Sequence, residues 1–178
     1  MDKTEIRRRM RQLNRTLLPE QRRAVSEVLF CAVEAVEAFQ KAHVVAAYCA
    51  LPDEPATEAA LLRWAEAGKR VAVPRVEGET MRFFYYDTAC LQAGAFGIME
   101  PGPEAMCCPP EAMDVMIVPG IAFTASGERM GRGRGYYDKY LAQSDFRAYT
   151  IGVGYAHQLL AMLPTEEHDV RLDKVIVR

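Results

Sequence analysis

Residues 114–142 read DVMIVPGIAFTASGERMGRGRGYYDKYLA, and the fold prediction starts from the pattern in this stretch. Its first five residues are mostly apolar and predict a buried strand over 114–118, which Pro119 and Gly120 end. A glycine-rich segment follows, and the residues from Tyr136 to about 142 have a helical pattern. A strand, a loop and a helix in this order are typical of an α/β fold.

The rest of the chain continues this alternation of strands and helices. A basic helix over 2–16 and an amphipathic helix over about 20–39 come first, and a third helix over about 56–67 is expected to end at Gly68. Further strands are predicted over 43–49, over 70–73 before Pro74, and over 81–86, 149–153 and 174–177, with a short helix near Gln158.

The order of these elements predicts an α/β fold of three layers, in which helices cover both faces of a mainly parallel sheet. The 178 residues fit a single domain, and we expect the helical N-terminal segment 1–40 to pack on the α/β core. Residues 87–110 are rich in glycine and proline and are predicted to be irregular. An irregular segment of this length inside a compact domain is often functional.

Composition and charge exclude several classes of protein. The chain has 24 acidic and 22 basic residues, and half of its residues are hydrophobic, which is typical of a globular protein. Its net charge of −2 argues against a protein that coats nucleic acid. No run of 18 apolar residues occurs and the first residues are charged, so we expect neither a membrane span nor a secretory signal.

The cysteines favour a reducing compartment. The chain has five of them, no C-x-x-C spacing occurs, and the adjacent Cys107 and Cys108 do not suit two ligands of one tetrahedral zinc site. We interpret them as reduced thiols and expect a cytoplasmic protein.

The first 23 residues hold eight basic and three acidic side chains. Lys3, Arg7 and Arg11 are four residues apart and share one face of the predicted first helix. Charge alone leaves two interpretations open, a solvated helix surface and a contact for an anion. A nucleic-acid-binding module is a third hypothesis, against which the net charge and the lack of an aromatic platform in this helix argue.

The glycine loop Gly131–Gly135, which reads GRGRG, has the composition of a phosphate cradle. Alternate glycines let the backbone approach a ligand closely, and a helix that begins after them offers N–H groups to an anion. Arginines add planar donors for phosphate oxygens. The loop lacks the Gly-Lys-Ser/Thr ending of a Walker A motif, and Tyr136 stands where the dinucleotide fingerprint has its last glycine. A tight turn with solvated arginines stays the alternative.

Asp138 lies in the first turn of the helix that follows the loop. A carboxylate there is stabilised by the helix dipole without any function. Beside bound phosphate it could instead hold Mg²⁺, which binds one or two carboxylates and shares oxygens of the substrate. The residue alone leaves both interpretations open.

The segments 118–123 and 127–141 resemble the signature of the 5-formyltetrahydrofolate cyclo-ligase family, whose members are also called 5,10-methenyltetrahydrofolate synthetases. Its most specific part is Gly-x-Gly-x-Gly-Tyr-Tyr-Asp at 131–138. The similarity covers nearly the whole chain. The other matching motifs are Lys3-x-x-x-Arg7, Asp53-Glu54, Val73-Pro74-Arg75, Phe96-Gly97-Ile98-x-Glu100-Pro101, Leu163-Pro164 and His168-Asp169-Val170-x-Leu172-Asp173.

The resemblance implies an ATP-dependent, Mg²⁺-dependent enzyme that converts 5-formyltetrahydrofolate into 5,10-methenyltetrahydrofolate, ADP and phosphate. In such an enzyme the γ-phosphoryl group is transferred to the formyl oxygen, and N10 then closes the ring as phosphate leaves. The implied work of the protein is positioning and stabilisation of charge. The expected partners are these two small molecules, with no nucleic acid and no membrane, and the expected state is a monomer or a weak dimer.

Site residues follow from the resemblance position by position. It implies ATP contacts at Lys3, Arg7, Arg129, Met130, Gly131, Arg132, Gly133, Arg134, Gly135, Tyr136 and Tyr137. It implies folate contacts at Cys49, Glu54, Arg132, Gly133, Arg134, Gly135 and Tyr136. It implies catalytic roles for Arg132 and Arg134, and magnesium ligands at Asp138 and Asp169.

Three positions depart from the family pattern. Arg134 replaces a common lysine, Thr124 stands where the family often has aspartate, and Ala56 fills a slot that is usually larger. Arginine offers a fork of donors where lysine offers a point charge, so the role of Arg134 is less defined than its position. These departures leave a non-catalytic regulator that binds folate or nucleotide as the alternative function. Among other residues, Trp64 is predicted to serve packing. For His168 an ordinary loop position is favoured, and a part in ordering the loop of Asp169 is the alternative.

Overall fold

The computed structural model describes residues 1–94, 97–167 and 169–178. In this part, no helix combines the length and the apolar character needed to cross a lipid bilayer. The helices are α1 (Lys3–Arg15), α2 (Pro19–Glu34), α3 (Glu37–Lys41), α4 (Glu58–Glu66) and α5 (Tyr136–Leu141). The strands are β1 (Val44–Ala46), β2 (Arg70–Glu77), β3 (Thr80–Tyr85), β4 (Leu91–Ala93), β5 (Met99–Pro101), β6 (Cys107–Cys108), β7 (Val115–Pro119), β8 (Ala122–Phe123), β9 (Arg129–Met130), β10 (Tyr149–Gly154) and β11 (Lys174–Val177).

Seven strands form one sheet in the order β11-β10-β7-β1-β2-β3-β6. The strands from β11 to β2 run parallel to their neighbours, whereas β3 and β6 are antiparallel. Two small antiparallel pairs, β4 with β5 and β8 with β9, lie outside this sheet. The predicted α/β fold with a mainly parallel sheet is therefore confirmed.

Different helices cover the two faces of the sheet. Successive residues of a strand point to opposite faces, so Val45 packs with α2, α3 and α4 while Ala46 packs with α5. On the first face the ring of Trp64 meets Phe30 edge-on, with ring centroids 5.8 Å apart. Trp64 therefore serves packing, as predicted, and the three layers of the fold are present.

Helix α1 packs against the β8–β9 hairpin. Asp2 caps its N-terminus by accepting a hydrogen bond of 2.8 Å from the backbone N–H of Glu5. The buried side chains of α1 on this side are Ile6 and Met10. They share an apolar cluster with Ile121, Ala122, Met130 and Leu163.

The helix predicted over about 20–39 is two helices in the structure, so its single span was wrong. α2 ends at Glu34 and α3 begins at Glu37, and Val36 between them has an extended backbone with φ −71° and ψ 129°. Val33 and Phe39, on either side of the break, belong to the same core cluster. The helical spacing of the apolar residues therefore continues from α2 into α3, and this spacing does not reveal the break between the two helices.

Pro74 was predicted to end its strand. In the structure it lies inside β2, so this prediction was wrong. The N–H of Arg70 donates to His43 and the carbonyl of Ala72 accepts from Ala47, so alternate residues of β2 face β1. Pro74 continues this series, but β1 ends at Ala46. A proline is tolerated there because no neighbouring strand needs its missing N–H.

The segment over 87–110, predicted to be irregular, contains the short strands β4, β5 and β6. The β8–β9 hairpin was not predicted either. Strands of two or three residues are too short to show a period of two in the sequence. Only their pairing partners in the folded chain identify them.

We predict that Gly127→Ala destabilises the protein more than Gly68→Ala. The two glycines have φ of 91° and 90°, so an alanine meets similar backbone strain at both. A Cβ at Gly68 meets open space, whereas one at Gly127 would overlap the backbone carbonyl of Leu172. We expect losses in the free energy of unfolding of about 1 kcal/mol at Gly68 and about 2–4 kcal/mol at Gly127. Equal losses in denaturant titrations would contradict the close approach at Gly127.

Candidate active site

A cleft of about 240 Å³ lies where α1, the glycine loop and the chain before β11 meet. It brings together predicted ATP contacts from the first helix and the glycine loop with both predicted magnesium ligands. The lining residues are Lys3, Arg7, Arg129, Met130, Gly131, Gly133, Gly135, Asp138, Pro164, Glu166 and Asp169.

Helix α1 contributes two cations to this cleft. Lys3 and Arg7 lie one helical turn apart, so both side chains extend from the same face. Lys3 Nζ lies 2.6 Å from Glu166 Oε1 and 3.9 Å from Asp169 Oδ2. Arg7 Nε donates a hydrogen bond of 2.9 Å to the carbonyl of Gly131. At these two positions the basic face of the first helix is directed into the cleft.

The glycine loop passes beneath the Arg7 guanidinium. Gly133 and Gly135 have φ of 107° and 72°, in the left-handed region that favours glycine. A Cβ added to Gly133 would lie 3.7 Å from Arg7 Cζ, an ordinary van der Waals contact, so the loop backbone lies close to the guanidinium. Gly135 is the residue before α5 and sets the direction in which that helix begins.

Arg129 is the buried cation of the cleft, and its side chain is only 3% exposed. Its guanidinium donates to the carbonyl of Pro119 at 3.0 Å and to Asp138 Oδ1 at 3.0 Å. Its Nε is buried, and no described residue accepts a hydrogen bond from it. Asp138 thus provides the negative charge that makes the burial of Arg129 tolerable.

The chain before β11 contributes two carboxylates. The backbone N–H of Glu166 donates to Asp169 Oδ2 at 2.7 Å, and that of Asp169 donates to the Glu166 carbonyl at 3.0 Å. These bonds hold the turn that presents both side chains to Lys3. His168, whose alternative part was to order this loop, and Phe96 of the family motif lie outside the described residues.

Arg132 points away from the cleft toward a second group of acidic side chains. Its guanidinium donates to Asp53 Oδ1 at 2.6 Å and to Glu54 Oε1 at 3.0 Å. Both carboxylates are buried. Burial raises the pKa of the Glu54 carboxyl, and the nearby charge of Arg132 opposes that rise.

Cys49 and Tyr137 lie near this acidic group. Glu54 and Cys49 are close enough to Tyr137 to raise the pKa of its phenol, after the larger effect of its burial. Burial, followed by the charges of Glu58 and Glu100, raises the pKa of the Cys49 thiol to about 12. Two of the three residues for which folate contacts were expected outside the glycine loop, Cys49 and Glu54, therefore both lie near Tyr137.

Comparison with known proteins identifies the family of this chain. A sequence model of the 5-formyltetrahydrofolate cyclo-ligase family matches residues 1–178. The chain belongs to this family of enzymes.

Two named relatives and one solved structure illustrate the similarity. The 5-formyltetrahydrofolate cyclo-ligase of Escherichia coli K12 is 32% identical, with 94% of this chain and 95% of that protein aligned. The protein of the same name from Mus musculus is 27% identical over 98% of this chain and 92% of its own length. The structure of 5,10-methenyltetrahydrofolate synthetase from Aquifex aeolicus matches with a TM-score of 0.86 and 34% identity, covering 99% of this chain and 90% of that one.

Three residues that were expected to contact ligands in this cyclo-ligase family member also contact other parts of the protein or are exposed to solvent. Met130 belongs to the apolar cluster that holds α1, although it also lines the cleft. The Tyr136 hydroxyl donates to the carbonyl of Gly78 at 3.1 Å, in the turn between β2 and β3. Arg134 is exposed at the rim of the loop.

Two acidic residues of these groups were not predicted as site residues. Asp53 stands in the motif that carried the family resemblance, but only Glu54 was assigned a contact. Glu166 precedes the predicted magnesium ligand Asp169 by three residues. This short spacing between two acidic residues could have indicated Glu166 as a site residue. Its contact with Lys3 joins residues 163 positions apart, which no local pattern reveals.

We predict that Cys49 reacts far more slowly than Cys107 with iodoacetamide at pH 8. Cys107 is exposed, whereas the pKa of about 12 for Cys49 leaves about a thousandfold less thiolate than an ordinary thiol has. Peptide mass spectrometry over time gives both rates in one sample. In denaturant the two rates should become similar. Equal rates in the folded protein would show that the Cys49 thiol is not shielded.

Proposed function

We propose that this protein uses ATP to convert 5-formyltetrahydrofolate into 5,10-methenyltetrahydrofolate, with release of ADP and phosphate. The observation that carries the proposal is the cleft in which Lys3, Arg7 and Arg129 face Asp138, Glu166 and Asp169 beside the glycine loop. Such a mixture of charges suits a polyphosphate with its divalent cation. The names of the relatives support the folate substrate.

The cations of the cleft would hold the phosphates of ATP. Lys3 offers a point charge with three donors, and Arg7 offers a planar fork. Gly133 and Gly135 keep the loop backbone free of side chains, so that phosphate oxygens can approach it. Lys3 would exchange its contact with Glu166 for a phosphate, because both are anionic partners.

Asp138 and Asp169 would hold Mg²⁺ together with phosphate oxygens. Among the described residues no cluster of three or more His, Cys, Asp or Glu side chains could bind a metal ion. Two aspartates in one cleft fit a Mg²⁺ that completes its shell with substrate oxygens and water. The ion would neutralise charge on the phosphates as the phosphoryl group moves.

The acidic group beyond Arg132 would receive the folate. Glu54 can accept hydrogen bonds from the N–H groups of a pterin, and its contact with Arg132 keeps the carboxylate in place. Cys49 would contact the folate without acting as a nucleophile, because its thiol stays protonated at neutral pH. The glycine loop joins both substrates, since Gly131 and Gly133 line the cleft while Arg132 faces Glu54.

The chemistry requires an activated formyl oxygen, which is a poor leaving group by itself. Transfer of the γ-phosphoryl group to that oxygen breaks the bond to ADP. Attack by N10 on the formyl carbon then closes the ring, and the C–O bond breaks as phosphate leaves. The residues described above would supply alignment and charge stabilisation for both steps.

The cysteines also support a cytoplasmic location. All five are free in the structure, and Cys31 and Cys107 are exposed. Exposed thiols are kept reduced in the cytosol and are at risk of oxidation outside it.

The proposal is tested by following methenyl-folate absorbance with 5-formyltetrahydrofolate, ATP and Mg²⁺. We expect formation of one ADP and one phosphate for each ring closed. Omission of ATP, or addition of EDTA, should abolish the product. Binding of both ligands without ADP release would instead favour the non-catalytic regulator, and no binding of either would overturn the proposal.

We predict that Asp138→Asn lowers turnover at least about 100-fold and raises the Mg²⁺ concentration needed for half-maximal rate. Asparagine keeps an oxygen that can accept from Arg129 but loses the charge that would hold the ion. Asp145→Asn removes the same charge at an exposed position after the end of α5, so it serves as control and should change neither quantity. A lower melting temperature with unchanged Mg²⁺ dependence would limit Asp138 to its contact with Arg129.

A further inference from the structure

The loop that carries Asp53 and Glu54 is held by side chains from the first two helices. Arg22 of α2 donates from Nε to the Glu54 carbonyl at 2.6 Å and from its terminal nitrogen to the Leu51 carbonyl at 3.0 Å. Asn14 of α1 donates from Nδ2 to the Asp53 carbonyl at 3.0 Å. Three carbonyls of one short loop are thus bound by two side chains from outside it.

Asn14 is buried, with 4% of its surface exposed, and its second polar atom is also used. Its Oδ1 lies 2.6 Å from Nε2 of His157. Because Nδ2 must face the Asp53 carbonyl, Oδ1 faces the imidazole and His157 Nε2 carries the proton. A flipped amide would place two acceptors against each other at Asp53. The Asp53 carbonyl therefore fixes the orientation of the Asn14 amide, and the contact with His157 holds the other end of that amide.

These bonds determine where the acidic pair presents its carboxylates. Glu54 Oε2 accepts from the N–H of Leu51 at 2.9 Å, and its Oε1 accepts from Arg132. Asp53 accepts from the same guanidinium. A shift of the loop backbone would move both carboxylates, and Arg132 with them.

Asn14 lies near the end of α1 opposite to the cleft residues. Eleven residues separate it from Lys3, which corresponds to about 16 Å along a helix. The apolar contact of Ile6 and Met10 fixes the helix between these two ends. One helix therefore supports both halves of the site, and Asn14 acts only on the half that contains Asp53 and Glu54.

We propose that Asn14, held by His157 and assisted by Arg22, is a positioning residue that aligns the Asp53–Glu54 loop for the folate substrate. This inference rests on the proposed function for the identity of that substrate. It assigns none of the three residues a contact with the reacting atoms. Its consequence is that a change at Asn14 affects folate binding and leaves ATP binding intact.

Asn14→Asp tests this assignment with a minimal change of shape. An aspartate retains an oxygen for His157 but cannot donate to the Asp53 carbonyl. We expect the KM for 5-formyltetrahydrofolate to rise about tenfold, the effect of losing one buried hydrogen bond. The KM for ATP should stay within about twofold of its original value, since Lys3 and Arg7 are untouched.

Gln12→Glu is the matched control, because it makes the same change from amide to carboxylate at an exposed position of α1. It should leave both KM values unchanged. Equal rises in both constants for Asn14→Asp, or no rise in either, would overturn the positioning role. Arg22→Lys provides a second variant if Asn14→Asp fails to fold, because lysine cannot make both bonds of Arg22, and it should show the same selective rise.

Hydrogen exchange separates this inference from the proposed function. Amides of residues 50–56 should exchange faster in Asn14→Asp and in Arg22→Lys than in the unchanged protein and in Gln12→Glu. If the unchanged protein forms no methenyl-folate, the proposed function fails, while faster exchange still supports the control of this loop by Asn14. Unchanged exchange together with unchanged KM values would overturn the inference even in an active enzyme.

Discussion

The apolar contact between α1 and the β8–β9 hairpin is the interaction on which the cleft depends. Ile6 and Met10 are buried against this hairpin, and burial of each such side chain contributes roughly 1.5–3 kcal/mol. A helix as short as α1 is only marginally stable alone in water. Tertiary packing therefore keeps Lys3 and Arg7 over the glycine loop, although neither charged side chain belongs to the apolar cluster.

The charges in the cleft balance one another once α1 is in place. Arg129 is buried because Asp138 and the Pro119 carbonyl both accept from it. Lys3 lies between Glu166 and Asp169. A wholly basic cleft would repel a divalent cation, and a wholly acidic one would repel phosphate. The mixture suits the proposed ATP and Mg²⁺, which would bind by exchanging protein contacts for ligand contacts.

The glycine loop connects two regions of different character. Gly131 and Gly133 line the polar cleft, whereas the side chain of the residue between them enters the buried group of Asp53 and Glu54. Neighbouring residues can serve opposite sides here because glycine leaves one side of the backbone bare. Two ligands bound in these regions would meet across a few residues of one loop.

Much of the fold follows from local patterns in the sequence. Buried strands separated by helices predicted the α/β sheet, because their apolar runs and spacings are local. Local patterns did not predict three features, namely the break after Glu34, the position of Pro74 within β2 and the two-residue strands of the β8–β9 hairpin. The place of Pro74 depends on a neighbour distant in the chain, the end of β1, and strands of two residues are too short to show a period of two.

By itself, the sequence determined the glycine loop, the helix after it and, through a family signature, which residues are expected in the site. Only the tertiary structure decided their partners. It directed Arg132 to Glu54, 78 positions away, and Asn14 to the Asp53 carbonyl, 39 positions away. The physical reason is that backbone conformation is governed largely by neighbouring residues, whereas the partner of a charged side chain is set by the packing of whole elements.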